Sequence, residues 1–325
     1  MKSITYNKFG DPAQVLTFSD SPVPTPKAGE VLIKMLLSPI HNHDLWTARG
    51  NYGYKPELPA TGGTEALGIV EAVGEGVDAA LIGKRVVKAG ALATWAEYFT
   101  TAAAGVLPLP DAISDEAGAQ LIAMPFSALS LLEFLNVKQG DWVVQTAANG
   151  AVGKIFYELA KQRGIHTINL VRRKEAADEL IAGGMENVFS TSDSNWLERA
   201  KEIVGADGAR AAIDSVGGKV VAEIVNLLGK DGVLAVFGTA TGEPLQLSAG
   251  EMISKHLNVK GFWGSRVSSE MPDADKARLI GELIHLAVEG KLPLTSGGTF
   301  ALADIKQAVD ASLTPGRTGK IMLRP

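Results

Sequence analysis

Apolar positions take two textures along the chain. From residue 1 to 118 they come in short β-type runs, at 30–35, 68–73 and 84–87, set between dense proline and glycine punctuation that runs from Pro22 to Gly83. Short strands between turn residues, with little helical period, predict a partly open, barrel-like β domain. From 119 to 290 strand-like runs alternate with helical periods, which predicts βαβ units around a parallel sheet. The strands are expected at 142–146, 166–171, 187–190, 211–214, 232–237 and 259–262, and the helices after residue 150 and at 175–182, 196–204 and 219–228. Strand character returns at 298–302 and 319–323, around a helix at 303–313. The tail is therefore expected to complete the first domain. The expected domains are residues 1–118 with 291–325, and an inserted domain at 119–290, with a cleft between them.

Between the strand at 142–146 and the helix after it lies Ala147-Ala148-Asn149-Gly150-Ala151-Val152-Gly153-Lys154. Val152, Ile155, Phe156, Leu159 and Ala160 recur at helical spacing behind it. A turn of Asn149, Gly150, Ala151, Val152 and Gly153 would let a pyrophosphate approach the helix N-terminus, where free N–H groups and the positive dipole end attract anions. The pattern is A-x-G-x-x-G, with Ala148 where the usual first glycine would be, and such turns also form simply to pack a helix on a sheet.

The next strand ends in Arg172-Arg173-Lys174. An NAD site places a carboxylate there for the ribose 2′-hydroxyl, whereas an arginine fork pairs with a 2′-phosphate. Arg172 and Arg173 thus point to NADPH; the alternative is a solvated start to the following helix. Asp214 and the Phe237-Gly238-Thr239 turn fall at carboxyl ends of strands, where ligands of doubly wound sheets sit. Turn and capping chemistry accounts for Asp214 and Gly238 equally well.

Composition narrows the class. The chain has 325 residues, 46% apolar and 21% charged, and its net charge of −5 comes from 31 cations against 36 acids. That suits two ordinary globular domains and offers no footprint for nucleic acid. No run of roughly 18 apolar residues predicts a membrane span, and the N-terminus reads as a strand rather than a signal peptide. With no cysteine, disulfides, thiolate ligands and cysteine catalysis are excluded. A cytoplasmic enzyme acting on a small molecule is expected.

With this layout the sequence resembles the medium-chain dehydrogenase/reductase superfamily over nearly its whole length. Within it the sequence is most similar to the zinc-free, NADPH-dependent branch of quinone oxidoreductases and trans-2-enoyl thioester reductases. The likeness rests on Gly50-Asn51-Tyr52-Gly53, then Pro56-Glu57-Leu58-Pro59-Ala60-Thr61-Gly62-Gly63-Thr64-Glu65, then Asp141-Trp142-Val143-Val144-Gln145, Thr167-Ile168-Asn169-Leu170-Val171-Arg172 and Gly261-Phe262-Trp263, in that order and spacing. It implies a GroES-like β-barrel domain joined to a doubly wound Rossmann domain that binds NADPH. It also implies a homodimer joined through edge strands, with residues 259–261 as a candidate edge.

Many members of the superfamily hold a catalytic zinc with Cys, His and a further Cys, Asp or Glu. Here His41 stands at the first cysteine's place, in His41-Asn42-His43-Asp44, and Gly63-Thr64-Glu65 replaces Gly-His-Glu. Catalytic zinc wants three protein ligands converging at about 2 Å, and side chains at i and i+2 share a face only in extended backbone. No metal is expected. His41 and His43, with Asp44 beside them, are left either to turn hydrogen bonds or to positioning nicotinamide or substrate.

Without a metal, hydride transfer suits an acceptor that delocalises charge: an enoyl thioester, an enone or a quinone. The resemblance puts the enoyl reductases' donor tyrosine at Tyr52, with Tyr54 beside it; a loop tyrosine packed on the surface is the alternative. Phe262 and Trp263 are expected near the cofactor, Trp263 either lining an acyl or ring pocket or filling the core at a strand end. Thr64 and the His41–Asp44 segment depart from the Asn and Asn-Pro-Ser-Asp of the enoyl reductases, which bears on substrate more than on cofactor. The activity implied is zinc-independent, NADPH-dependent reduction of a conjugated carbonyl. An NADPH:quinone reductase and a nucleotide-binding sensor without turnover are the competing readings.

Overall fold

The computed structural model describes all 325 residues, in two compact units, Met1–Ala123 with Ile280–Pro325, and Met124–Leu279. In the first unit the long strand Glu30–Pro39 is central. It pairs antiparallel with Glu65–Val73, Tyr98–Ala102 and the tail strand Lys320–Arg324. The sheet continues through Arg85–Ala89 to Leu107–Pro108 on one side and to Ser296–Ala301 on the other. A smaller sheet orders Thr17–Asp20, Lys2–Tyr6 and Ala60–Thr61. Ile4, Val31, Ile33, Met35, Val70, Val86 and Phe99 fill the core, each burial stabilising by about 1.5–3 kcal/mol relative to exposure.

One packing detail fixes the backbone beside the candidate site. Trp95 is fully buried, and its ring lies where side chains on residues 62 and 63 would be. A Cβ on Gly62 would stand 2.3 Å from the indole, and Gly63 takes φ +90. Only glycine fits both demands, so the Gly-Gly pair sets the entry to Thr64 and Glu65.

The second unit holds a six-stranded sheet in the order Val188–Ser190, His166–Val171, Trp142–Gln145, Ala209–Asp214, Leu228–Val236, Asn258–Gly261. Every neighbouring pair is parallel, which is the doubly wound order. Ala211, Ala212 and Ile213 are buried in succession, so both faces of that strand are covered, as parallel sheets require. Asn258–Gly261 forms one edge. The expected class, a β domain plus a doubly wound parallel sheet, is borne out. No helix is long and apolar enough to cross a membrane.

Several expected elements shift. The helix expected over 219–228 is Val220–Val225, and Leu228 already opens the next strand. Asn187 turns with φ +50 and the strand starts at Val188. Phe262 lies just past its strand rather than in it. Three helices of eight residues or more escaped the pattern, Asn42–Arg49, Ala123–Leu135 and Asp273–Val288, along with four shorter ones. Ala123–Leu135 is apolar on nearly every side, with Phe126, Leu129, Leu131 and Leu132 all buried, so no amphipathic stripe marks it.

Candidate active site

Two groups of residues carry the candidate chemistry, one in each unit. In the second unit, Asn169 sits opposite Gln145, so the strands Trp142–Gln145 and His166–Val171 open at the same end of the sheet. The Ala148 N–H donates to the Leu170 carbonyl at 3.1 Å, and the Gly150 N–H donates to the Ala147 carbonyl at 2.9 Å. The left-handed φ of the turn, +53, falls on Ala147. Gly150 caps the Ala151–Gln162 helix. A Cβ on Gly153 would lie 2.8 Å from both the Cα and the carbonyl oxygen of Ala148, so glycine alone lets the helix start this close to the strand. The N–H groups of Ala151, Val152 and Gly153 stand in the first turn, where a helix leaves its N–H groups without intrahelical partners.

Below the turn the Gln145 amide donates to the Gly153 carbonyl at 3.0 Å and to Asn169 Oδ1 at 2.7 Å. The Arg172 carbonyl accepts from the Ser190 and Ser192 hydroxyls, which fixes its backbone while its side chain stays exposed. Arg173 is half-buried and precedes the Lys174–Ala182 helix as its N-cap. Asp214 is fully buried and accepts from the Thr146 hydroxyl at 3.1 Å and the Val216 and Gly217 N–H groups at 3.1 and 2.9 Å. Its role is to cap the turn after its strand. A Cβ on Gly238 would stand 2.8 Å from the Ser215 carbonyl oxygen, so glycine there permits the close approach of two loops. Phe237 packs on Phe262 at 5.8 Å, and Phe262 meets the edge of Phe134 at 5.2 Å. Trp263 is 53% exposed. Of the two alternatives for it, filling the core at a strand end is therefore removed: the chain turns outward there into the helix Gly264–Glu270.

The first unit holds a network of side chains. Asn42–Arg49 is a short helix with His41 as its N-cap, and Asp44 Oδ2 accepts the His41 N–H at 2.8 Å. This corrects the view that His41 and His43 could share a face only in an extended segment. His41 is extended and His43 helical, and their rings stack at 5.0 Å. His41 is fully buried, and its Nε2 lies 2.8 Å from Glu65 Oε2. Glu65 Oε1 accepts the Ile122 and Ala123 N–H groups at 2.9 and 2.8 Å. Burial pushes the Glu65 carboxyl up to about 7, against the pull of those N–H groups, Lys320 and His43. Burial also holds His41 well below the ordinary histidine range, with Lys320 and His43 adding to the effect. The ring is neutral at pH 7. Its Nδ1 has no partner. A bare lone pair is cheaper to bury than an unpaired N–H, so Nε2 carries the hydrogen and donates to Glu65. Lys320, buried in the tail strand, is lowered to about 8 by burial and by Arg317.

Outside this dry node, His43 Nε2 lies 2.7 Å from Thr64 Oγ1, and the Thr64 hydroxyl donates to Asp44 Oδ1 at 2.7 Å. The Tyr52 ring stacks on His43 at 5.7 Å. The chain returns to His43 because Gly50, with φ +78, closes the helix in a left-handed cap. A pocket of about 160 Å³ opens beside Thr64, with Tyr6, Asp44, Thr47, Tyr54, Pro56 and Leu92 in its wall. Burial and then Tyr54 and Asp44 push the Tyr6 hydroxyl up to about 12, which keeps it a proton donor at neutral pH.

The structure thus brings Tyr52, His41 and Asp44 into one cluster with His43, Thr64 and Glu65, whose mutual bonds the sequence did not show, and with Lys320, which it did not mark at all. The Asp44 carboxylate three residues after His41, with Gly50 beyond, was a helix signal of capping-box type. No group of three His, Cys, Asp or Glu side chains is arranged to hold a metal ion. His41 Nε2 is engaged by Glu65, His43 Nε2 by Thr64, and Asp44 by two donors.

Comparison with known proteins bears on both units. Residues 27–111 match the alcohol dehydrogenase GroES-like domain and residues 151–278 match the zinc-binding dehydrogenase family. The human mitochondrial enoyl-[acyl-carrier-protein] reductase is 30% identical over 329 aligned positions, covering 99% of this chain and 88% of its own. Among solved structures, the Escherichia coli quinone oxidoreductase complexed with NADPH superposes with a TM-score of 0.89 at 26% identity, over 100% of both chains. A mycobacterial protein complexed with NADPH does so at 0.87 and 29%, again over 100% of both.

Proposed function

Because the chain belongs to the medium-chain dehydrogenase/reductase superfamily, in the branch of quinone oxidoreductases and enoyl thioester reductases, we propose that it reduces conjugated carbonyl compounds with NADPH and without a catalytic metal. The observation that carries this reading is the pairing of a glycine turn with an exposed Arg172 at one end of a parallel sheet. The turn residues Asn149, Gly150, Ala151, Val152 and Gly153 would hold a pyrophosphate by backbone N–H groups. Arg172 and Arg173 would hold a 2′-phosphate, which an acidic residue would repel. Phe237, Gly238, Phe262 and Trp263 would flank the rest of the dinucleotide. When bound, the cofactor supplies a hydride.

The residues of the first unit do the remaining work in this reading. Hydride addition at the β-carbon sends negative charge to the carbonyl oxygen, and a hydroxyl donor stabilises it there. Tyr52 serves as that donor: its ring is held by His43, and its hydroxyl has no partner within the chain that would compete. His41 is shut from solvent, so it positions the segment rather than touching substrate, while Asp44, in the pocket wall, holds His41 and Thr64 in place. The pocket beside Thr64, with Leu92 and Pro56 in its wall, would seat the substrate's chain or ring. That no three His, Asp or Glu side chains converge here as metal ligands supports a metal-free site. A quinone fits the same chemistry, since it also accepts a hydride into a delocalised system, and the E. coli relative is named for it. We further propose a cytoplasmic homodimer, with the edge strand Asn258–Gly261 as the joining element.

The test is NADPH consumption by chelator-treated protein against a short enoyl thioester, an enone and a quinone, each repeated with NADH. The reading predicts turnover of at least one acceptor, faster with NADPH and unchanged by chelation. Idleness of well-folded protein with all three acceptors and both cofactors would contradict it.

A further inference from the structure

The two histidines of the first unit differ in one respect that matters for proton transfer: one is sealed and the other has an open nitrogen. His43 heads a chain of hydrogen bonds, from its Nε2 to Thr64 Oγ1 at 2.7 Å and from the Thr64 hydroxyl to Asp44 Oδ1 at 2.7 Å. A threonine hydroxyl has one hydrogen to give. The Asp44 carboxylate already accepts the His41 N–H at 2.8 Å on its other oxygen, and as an acceptor it takes the Thr64 hydrogen. The bond between His43 and Thr64 therefore needs its hydrogen from the imidazole. Neutral His43 is fixed as the Nε2–H tautomer, with its free lone pair on Nδ1.

That Nδ1 bonds to nothing in the chain, and it is not among the buried unpartnered atoms. The side chain is 23% exposed. The flat faces of the ring are held between His41 at 5.0 Å and Tyr52 at 5.7 Å, which leaves an edge open beside the Tyr52 ring. When Nδ1 takes a proton, the charge is shared over the ring, whose Nε2 lies 3.6 Å from Asp44 Oδ1. The other ionisable groups facing this cluster are His41 on the same segment, Glu65 on the next strand, Tyr52 and Tyr54 on the turn, Tyr6 on the first strand and Lys320 on the tail strand. A fixed tautomer, an open second nitrogen and a carboxylate behind a hydroxyl are the parts of a general acid–base histidine.

We propose that His43 is the group that supplies the proton consumed in the reduction, through Nδ1, while Thr64 and Asp44 set its tautomer. This rests on the reductase reading above. In the step, the substrate β-carbon gains the hydride and the alkene π pair moves onto the enolate. The His43 Nδ1–H bond then breaks, its electron pair stays on nitrogen, and the proton forms the new C–H bond at the α-carbon. His43 is left neutral and regains a proton from solvent through its open edge. Tyr52 keeps its own proton and holds the carbonyl oxygen, so the two residues divide the roles of acid and oxyanion donor.

The experiment uses the full chain with ¹⁵N-labelled histidine. Long-range ¹H–¹⁵N spectra of the wild type, taken where the ring is neutral, should show His43 as the Nε2–H tautomer. Thr64→Ser should keep that tautomer and Thr64→Val should lose it. A neutral Nδ1–H ring in the wild type overturns the proposal without any assay. In turnover of an enone with NADPH, His43→Gln should lower kcat by about 10²–10⁴-fold with little change in KM, and should erase one limb of the pH profile. If the wild type turns over and His43→Gln keeps its kcat and pH profile, the proposal falls and the reductase reading stands. If the wild type reduces no conjugated acceptor, both fall together.

Discussion

The turn of the second unit and the polar node of the first solve opposite problems. At Ala147–Gly153 the recognition elements are backbone N–H groups, and the sequence's task is to keep side chains out of the way: a methyl on Gly153 would already collide with Ala148 at 2.8 Å. At His41–Glu65 the elements are side chains held by other side chains, deep enough that burial pushes Glu65 up to about 7. The turn can accept a large anion because it is open and its donors are unpaired. The node cannot take a ligand directly, since His41 and Glu65 are fully buried and bonded to each other. It acts by holding what lies outside it: Thr64, His43 and Tyr52. In the proposed reading, binding and chemistry are thus built by different means in the two units.

That contrast can be broken most sharply at Tyr52. Replacing it with phenylalanine removes a hydroxyl and leaves the ring on His43, so the fold and cofactor affinity should survive while kcat falls by about 10²–10⁴-fold. Steady-state rates beside a thermal melt would show it; an unchanged kcat assigns the role elsewhere.

The next effect is on stability and isolates the node. Glu65 has its carboxyl raised to about 7 in the folded chain against an ordinary 4.5, so its contribution is fully present below 4.5 and is lost as pH rises through about 7. The loss is on the order of 3 kcal/mol if the whole shift is expressed. Glu65→Gln keeps an acceptor for Ile122 and Ala123 and has no proton to lose. His41 works in the other direction, losing stability as pH falls below the ordinary histidine range, but it does so in both proteins. Urea unfolding across this pH range should therefore show wild type weakening relative to Glu65→Gln as pH rises. Parallel curves would mean that Glu65 is not buried as described.

The smallest of these effects tests the turn. Arg172→Ala removes an exposed guanidinium and no packing, so stability should hold. Affinity for NADPH should drop by roughly 10–100-fold, the worth of a charge-assisted hydrogen bond, while NADH affinity barely moves. Equal weakening of both cofactors would show that Arg172 does not read the 2′-phosphate.

The same contrast explains what the sequence made legible. The strand His166–Val171 and the helix Trp196–Val204 could be read to the residue, because a buried strand and an amphipathic helix each impose a period on their own segment. The glycine turn was legible for the same local reason. The node was not, because its parts come from distant segments: Thr64 lies 21 residues from His43, and Glu65 reaches Ile122 over 57. Nothing in a local pattern says that Thr64, standing where the enoyl reductases have Asn, has a histidine to hold. Trp95 had no positional argument until its ring was found against Gly62 and Gly63. For Trp263 the sequence left a pocket wall and a core position open, because an aromatic at a strand end can face either way; the outward turn of the chain into a helix removes the core position.

The central claim is that hydride reaches the β-carbon of a conjugated carbonyl. It is tested most directly by reducing an enone with NADPH deuterated at the transferable position and examining the product by mass spectrometry and NMR. The account predicts a saturated carbonyl compound carrying a single deuterium at the β-carbon, with the α-hydrogen drawn from solvent. An allylic alcohol with deuterium at the carbonyl carbon, or a saturated product without label, would contradict it.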